Sequence, residues 1–215
     1  MTRAIVIGGS RGIGKAISDS LVEIGFDVIA TSKKDLDTSD LVSVKNFVNN
    51  HKDVDVLVLN TGGPPAKEFF SISEEEWQKY HNQLFLGFCI ILKNISINEG
   101  GYIFLISSSV IKEPKPSLII SSAYRLAFSS VLKILSKNYA EKNISCINIA
   151  PGPINTQRTK ELVDNVEEYA KSLPMKRLGE PKEIGDFVSS IIKNNIKYLS
   201  GVVINFDGSN SSHIF

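Results

Sequence analysis

The chain has 215 residues, enough for one large α/β domain and short for two. Hydrophobic residues make up 42% and charged residues 22%, the composition of a soluble globular protein. Lys plus Arg total 24 against 23 Asp plus Glu, a net charge of +1 that gives no electrostatic ground for a nucleic-acid or anionic-membrane partner. The only cysteines, Cys89 and Cys146, each lie in an apolar run, so two free thiols in a reducing compartment are expected. The first apolar run stops at Gly8, too short for a signal peptide or for a span of about 20 residues, and a cytoplasmic location is expected.

Short Val/Ile-rich runs alternate with segments of helical period, the pattern of repeated βαβ units in a single doubly wound domain. Strands are predicted over 4–7, 27–30, 54–59, 101–106, 144–149 and 202–205, and their near-continuous apolar character suits a parallel sheet covered on both faces. Helices are predicted over 13–25, 40–51, 73–97, 118–140, 159–171 and 181–194. Ser73 with Glu76 reads as a capping box, and Pro181 fits the first turn of the last helix. Between the second strand and the helix starting near Asp40 no full helix fits. The fold should therefore be trimmed there, with at most a very short extra strand around Leu36.

The first strand ends in Gly8-Gly9-Ser10-Arg11-Gly12-Ile13-Gly14 and runs into an amphipathic helix. Glycines at 8, 12 and 14 permit a tight turn, bring amides close to a pyrophosphate and pack helix on strand. The helix N-terminus adds free N–H groups and partial positive charge. After the second strand comes Thr31-Ser32-Lys33-Lys34, with no acid before Asp35 to accept from a ribose 2′-hydroxyl. Lys33 and Lys34, with Arg11 in the turn, suit a 2′-phosphate, so NADP(H) is favoured over NAD(H).

Five ordered motifs then resemble the short-chain dehydrogenase/reductase family over almost the whole length. They are the Gly8-x-x-x-Gly12-x-Gly14 turn; Asn60-Thr61-Gly62-Gly63 followed by Pro64; Ile106-Ser107-Ser108; Pro151-Gly152-Pro153-Ile154-Asn155-Thr156; and Arg177-Leu178-Gly179-Glu180-Pro181 with Gly201 to Gly208. The Thr-Gly-Gly-Pro form is similar to divergent members of the 3-oxoacyl-carrier-protein reductase type. The resemblance implies a three-layer Rossmann-type sandwich with strand order 3-2-1-4-5-6-7 and a nicotinamide carboxamide held by the Pro151–Thr156 loop. It also implies a substrate lid in 157–174 and a homodimer or homotetramer built on the two long helices. Asp37 stands for the family residue that meets the adenine, and Asn60 and Gly62 for part of the cofactor wall.

The family's catalysts are a Tyr, a Lys four residues on, a Ser thirteen residues before the Tyr, and an Asn on the preceding long helix. Here Tyr124 is followed four residues later by Phe128. Alignment through Pro114 and the helix that follows puts Ser121 in the Tyr position and Arg125 in the Lys position. Ser108 then lies 121 − 108 = 13 residues upstream, and counting from Trp77 puts Leu84 in the Asn position. Three readings stay open. Chemistry persists with Ser108, Ser121 or Ser122 and Arg125; or the cofactor site is kept for sensing without turnover; or the register shifts and Tyr124, one turn on, enters the site. His51, His81 and His213 have no partners at ligand spacing, so no metal is expected.

Overall fold

Six strands form one parallel sheet in the order β2-β1-β3-β4-β5-β6. The computed structural model describes residues 2–214. The strands are β1 (Arg3–Val6), β2 (Asp27–Ala30), β3 (Asp53–Leu59), β4 (Ser96–Ile106), β5 (Ser145–Pro151) and β6 (Val202–Phe206). The helices are α1 (Gly12–Glu23), α2 (Leu41–Asn50), α3 (Glu74–His81), α4 (Gly87–Asn94), α5 (Ile119–Ala140), α6 (Gln157–Lys160), α7 (Val166–Ser172) and α8 (Pro181–Lys193).

Side chains alternate across a strand, and that alternation sorts the core into two halves. Ile5, Leu57, Leu59, Ile103 and Leu105 pack with Val44 of α2, Phe88 of α4, and Phe128 and Leu132 of α5. Ala4, Val6, Val58, Phe104 and Ile149 pack on the other face with Ile17 and Leu21 of α1 and Ile184 and Val188 of α8. The result is the expected three-layer, doubly wound sandwich. By length and composition alone α5 could cross a bilayer. It packs instead as a core helix, with Ile120, Arg125, Phe128 and Leu132 all buried.

Four expectations are corrected. The trimming expected between β2 and α2 is present: among the described residues no strand forms around Leu36, the segment 31–40 is a chain of turns, and Leu36 drops into the core at 4% exposure. The sheet therefore lacks the outermost strand of the expected order, and β2 becomes an edge. The helix expected over 73–97 is α3, a π-turn over Asn82–Leu86, and α4, which stops at Asn94. Strand β4 starts five residues earlier than expected. Ile95 continues the i+4 helical spacing of Ile91, but Ile95 and Ile97 are buried at strand spacing instead, and Ser96 pairs with Asp53. The lid segment is two short helices rather than one.

The predicted caps form. Ser73 and Glu76 exchange both bonds of a capping box at α3. Glu183 does the same for α8: its carboxylate accepts from the Glu180 amide at 2.7 Å and binds Arg177 with two contacts of 2.8 Å. Arg177 first, and then the Glu180 amide, hold the Glu183 carboxyl down at about 2, against an ordinary value of 4.5. A depressed carboxyl stabilises the fold above its unfolded pKa and loses that contribution as pH falls towards the folded one. The stability gap between wild type and Glu183→Gln is expected to be full above about pH 4.5 and to close towards pH 2, measured by urea unfolding at several pH values.

Candidate active site

The cleft begins at the glycine turn. The Gly8 amide donates to Thr31 Oγ1 at 3.1 Å, and the Gly8 carbonyl accepts from Asn60 Nδ2 at 3.1 Å. The turn is thereby tied to the ends of β2 and β3. A Cβ on Gly14 would stand 2.1 Å from the Gly8 carbonyl oxygen, so only glycine lets α1 settle on the turn. Arg11, the N-cap of α1, makes no side-chain capping bond, which leaves the first helical amides for an anion.

Beyond β2, Ser32 Oγ donates to Asp35 Oδ2 at 2.7 Å and fixes a tight turn. Lys33 and Asp37 line the cleft and lie 3.3 Å apart, whereas Lys34 is not in the lining. Burial opposes ionisation of Asp37, but the Ser39 hydroxyl and amide and the Lys33 charge outweigh it and hold the carboxyl below its ordinary value.

At the inner end lies Arg125, 8% exposed. Its Nε donates to Ser121 Oγ at 3.2 Å, Nη1 to the Ile106 carbonyl at 3.0 Å, and Nη2 to the Thr61 carbonyl at 3.2 Å. One side chain of α5 thus joins the segment following β3 to the end of β4. No carboxylate appears among these partners. Burial, and then the charge of Arg158, pull Arg125 down to about 10, so it remains a cation at neutral pH.

The far wall comes from α3 and the π-turn, through Lys79, Tyr80 and Gln83, and the lid from α6 and α7. Arg158 of α6 reaches across the cleft, donating to the Pro64 carbonyl. The enclosed space is about 570 Å³, within the usual range for small-molecule and cofactor sites. The lining includes Gly8, Ser10, Arg11, Gly12, Ile13, Ser32, Lys33, Asp37, Asn60, Gly62, Ser108, Ser121, Arg125, Pro151, Gly152, Ile154 and Thr156. Of the residues singled out from sequence, Gly14 lies beneath the turn and Tyr124 outside the cleft.

Comparison with known proteins gives this geometry a relationship. The sequence model of a family described as Enoyl-(Acyl carrier protein) reductase matches residues 37–209. The chain is 30% identical over 236 residues to the 3-oxoacyl-[acyl-carrier-protein] reductase FabG of Chlamydia trachomatis serovar D, covering 95% of each. The chain belongs to the short-chain dehydrogenase/reductase family. It is also 27% identical over 223 residues to the 3-oxoacyl-[acyl-carrier-protein] reductase MabA of Mycobacterium tuberculosis, covering 95% of the chain and 90% of that protein. Among solved structures, its fold is similar to a short chain dehydrogenase from Burkholderia cenocepacia J2315 in complex with NADP, with a TM-score of 0.89, 20% identity and 98% of each chain covered. It is similar also to the angucycline C-6 ketoreductase LanV with bound NADP, with a TM-score of 0.88, 19% identity, and 97% and 95% covered.

The alignment read from the sequence sets Ser108, Ser121, Arg125 and Leu84 at the four positions where the family pattern keeps Ser, Tyr, Lys and Asn. Ser108, Ser121 and Arg125 share the cleft. Tyr124 turns the other way, edge-on to Trp77 at 5.8 Å and to His81 at 5.5 Å between centroids. One helical step of about 100° separates it from Arg125, so a register shift would have to rotate all of α5. Ser122 also points elsewhere, donating to the Leu118 carbonyl at 3.0 Å. Leu84 is buried against Tyr80 and Ile120.

Sequence reasoning missed Gln83, Tyr80 and Arg158. Gln83 Nε2 donates to the Gly62 carbonyl at 2.7 Å from within the π-turn. A π-turn inserts one residue into a helix and is common at functional sites, but its sequence signal is slight. Asn148 was missed as well. Buried at 3% exposure, it accepts from Ser107 Oγ at 2.5 Å and donates to Ser129 Oγ at 2.8 Å, while Ser129 donates to the Arg125 carbonyl. This chain fixes α5, and with it Arg125, against the sheet. Asn148→Ala should cost about 1–3 kcal/mol in urea unfolding by leaving buried hydroxyls short of partners.

Proposed function

We propose that the chain is an NADP(H)-dependent oxidoreductase that interconverts a small carbonyl compound and its alcohol without the family's usual Tyr and Lys. The observation that carries the reading is the buried Arg125 guanidinium bonded to Ser121 at the inner end of a dinucleotide-type cleft. The residues fit the cofactor. Uncapped amides of α1 suit its pyrophosphate, Arg11 and Lys33 its 2′-phosphate, and Asn60 and Gly62 form a wall on which nothing lies within 4 Å of a Cβ on Gly62. Asp37 borders the adenine end, and Pro151, Gly152, Ile154 and Thr156 the nicotinamide end. The NADP bound in two structures of similar fold supports the phosphate-bearing form, and the 3-oxoacyl reductases among the relatives support a carbonyl substrate.

Bound in this cleft, NADP(H) supplies or accepts the hydride. Arg125 would help hold its nicotinamide ribose and would present a permanent positive charge where oxyanion character develops. Ser121 Oγ accepts from Arg125 and Ser108 Oγ from the Val110 amide at 3.4 Å, so both hydroxyl protons are free to bind a carbonyl oxygen. Arginine does not shuttle protons, and water from the open mouth completes the alcohol. Absence of a tuned acid costs about 10²–10⁴ in rate, which favours an already polarised carbonyl. A second reading, dinucleotide binding without turnover, is favoured by Tyr124 packing outside the cleft; oxidation of bound NADPH by a carbonyl panel in single-turnover mode separates the two.

NADPH is expected to bind at least about tenfold more tightly than NADH by calorimetric titration, from charge-assisted bonds to the extra phosphate. Equal affinity would remove the role given to Arg11 and Lys33. Arg125→Ala should weaken NADPH by about tenfold or more, and Tyr124→Phe by less than about twofold; the reverse order would favour a rotated α5.

We further propose a homodimer or homotetramer through α4 and α5. Leu126 and Ile134 are 49% and 66% exposed beside half-buried Phe85, Val131 and Leu135, an apolar face of the kind partners cover. Light scattering should give a mass of two or four chains, falling to one for Ile134→Glu.

A further inference from the structure

The cleft carries more positive charge than a dinucleotide explains, and the excess lies at its substrate end. The chain as a whole is nearly neutral at +1. Yet Lys79, Lys115, Arg125 and Arg158 line this end, and Glu161 is the one acid among the described residues that lines it with them, Glu76 lying behind Lys79 outside the lining. Glu161 is a weak counter-ion: its carboxylate stands 3.9 Å from Arg158 Nη1 and its side chain is 52% exposed.

Arg158 is specifically accommodated. A Cβ on Gly63 would lie 3.4 Å from Arg158 Nε and 3.6 Å from Nη2, so the guanidinium packs within van der Waals reach of the bare Gly63 backbone. The Pro64 carbonyl anchors one Nη2 proton. Tyr80 stands close enough to couple to its charge, and Arg125 close enough to repel it. Arg125 itself uses three of its five N–H groups on Ser121, Ile106 and Thr61. Two guanidinium groups facing one space without a carboxylate between them are costly unless a ligand brings the negative charge.

We propose that the substrate is an anion, an oxo-acid or hydroxy-acid whose carboxylate is taken by Arg158 while its carbonyl or alcohol oxygen lies at Ser108 and Ser121. This rests on the reading of the cleft as an oxidoreductase site and names the substrate class for it. The cofactor's pyrophosphate does not account for Arg158, because the uncapped amides of α1 lie at the glycine turn, whereas Arg158 is fixed on Gly63 and Pro64 beside Tyr80. A carboxylate that meets Arg158 in a planar, two-pronged contact gains direction as well as charge.

The test is calorimetric titration of the NADP⁺-loaded protein with straight-chain dicarboxylic and 3-oxo acids of about three to six carbons, each beside its neutral amide, the length a cleft of this class holds. At least one acid should bind about tenfold or more tightly than its amide, and the difference should shrink as salt rises. Arg158→Gln should weaken that acid by about tenfold or more, leave NADP⁺ affinity within about threefold and keep the wild-type melting temperature, and Arg158→Lys should recover part of the loss. Acids and amides binding alike, or no acid binding while NADP⁺ does, would overturn the proposal. So would Arg158→Gln weakening NADP⁺ as much as the acid, since Arg158 would then serve the cofactor. Failure of the wild type to bind NADP⁺ would sink the oxidoreductase reading instead, and the same titration of the nucleotide-free protein would still decide the anion site.

Discussion

The Gly8 carbonyl is the point on which the cleft is assembled. It accepts from Asn60 Nδ2 at 3.1 Å, and it lies so near Gly14 that a single methyl there would overlap it at 2.1 Å. These two contacts set how far α1 stands from the end of β3, and hence how wide the groove between them is. Thr31, 1% exposed, holds the same glycine from the β2 side. Three strand ends therefore converge on one backbone unit. The carboxyl ends of parallel strands open a crevice where the chain order reverses, and this contact decides that the crevice is narrow enough for backbone amides to meet a phosphate.

A second constraint acts at the inner end. A buried cation without a counter-charge is costly, several kcal/mol in real proteins, and Arg125 offsets that cost by donating to two backbone carbonyls and a hydroxyl. Lysine would place a compact charge in this position, whereas the guanidinium plane reaches the Ile106 and Thr61 carbonyls at once and keeps donors in reserve. Ser121 lies four residues before it on the same helical face, so the two side chains meet as i,i+4 neighbours. Ser121 and Arg125 therefore form one structural unit. The Ser107–Asn148–Ser129 chain behind them keeps α5 from rotating.

How much of this was legible followed from the range of the interactions involved. Strands β1, β2 and β5 and the glycine turn were readable because local patterning and backbone demands coincide there. The missing edge strand was readable as a length, nine residues between Ala30 and Asp40 that cannot hold a crossover. The end of α4 and the start of β4 were not, because Ile91 and Ile95 stand at helical i+4 spacing while Ile95 and Ile97 alternate as in a strand, and only pairing of Ser96 with Asp53 decides between them. Counting along a regular helix put Leu84 in the cleft's Asn position. The π-turn over Asn82–Leu86 instead leaves Gln83 at the cleft and Leu84 in the core. Arg158 was invisible for a different reason, since its hydrogen-bond partner Pro64 is 94 residues away from it in the chain.

The electrostatics of the cleft follow from what these substitutions keep and what they give up. A Tyr–Lys pair works by moving a proton, which requires a hydroxyl whose pKa a neighbouring cation brings towards neutrality. Arg125 at about 10 stays charged across the physiological range, and serine hydroxyls donate hydrogen bonds without ionising. On the proposed reading, such a site would polarise a bound oxygen through fixed charge and directed donors, and would draw its proton from solvent. That arrangement suits a substrate whose own charge is the handle. A carboxylate held at Arg158 would fix the distance of the neighbouring oxygen from Ser108 and Ser121, and positioning of that kind recovers part of what a missing acid forfeits.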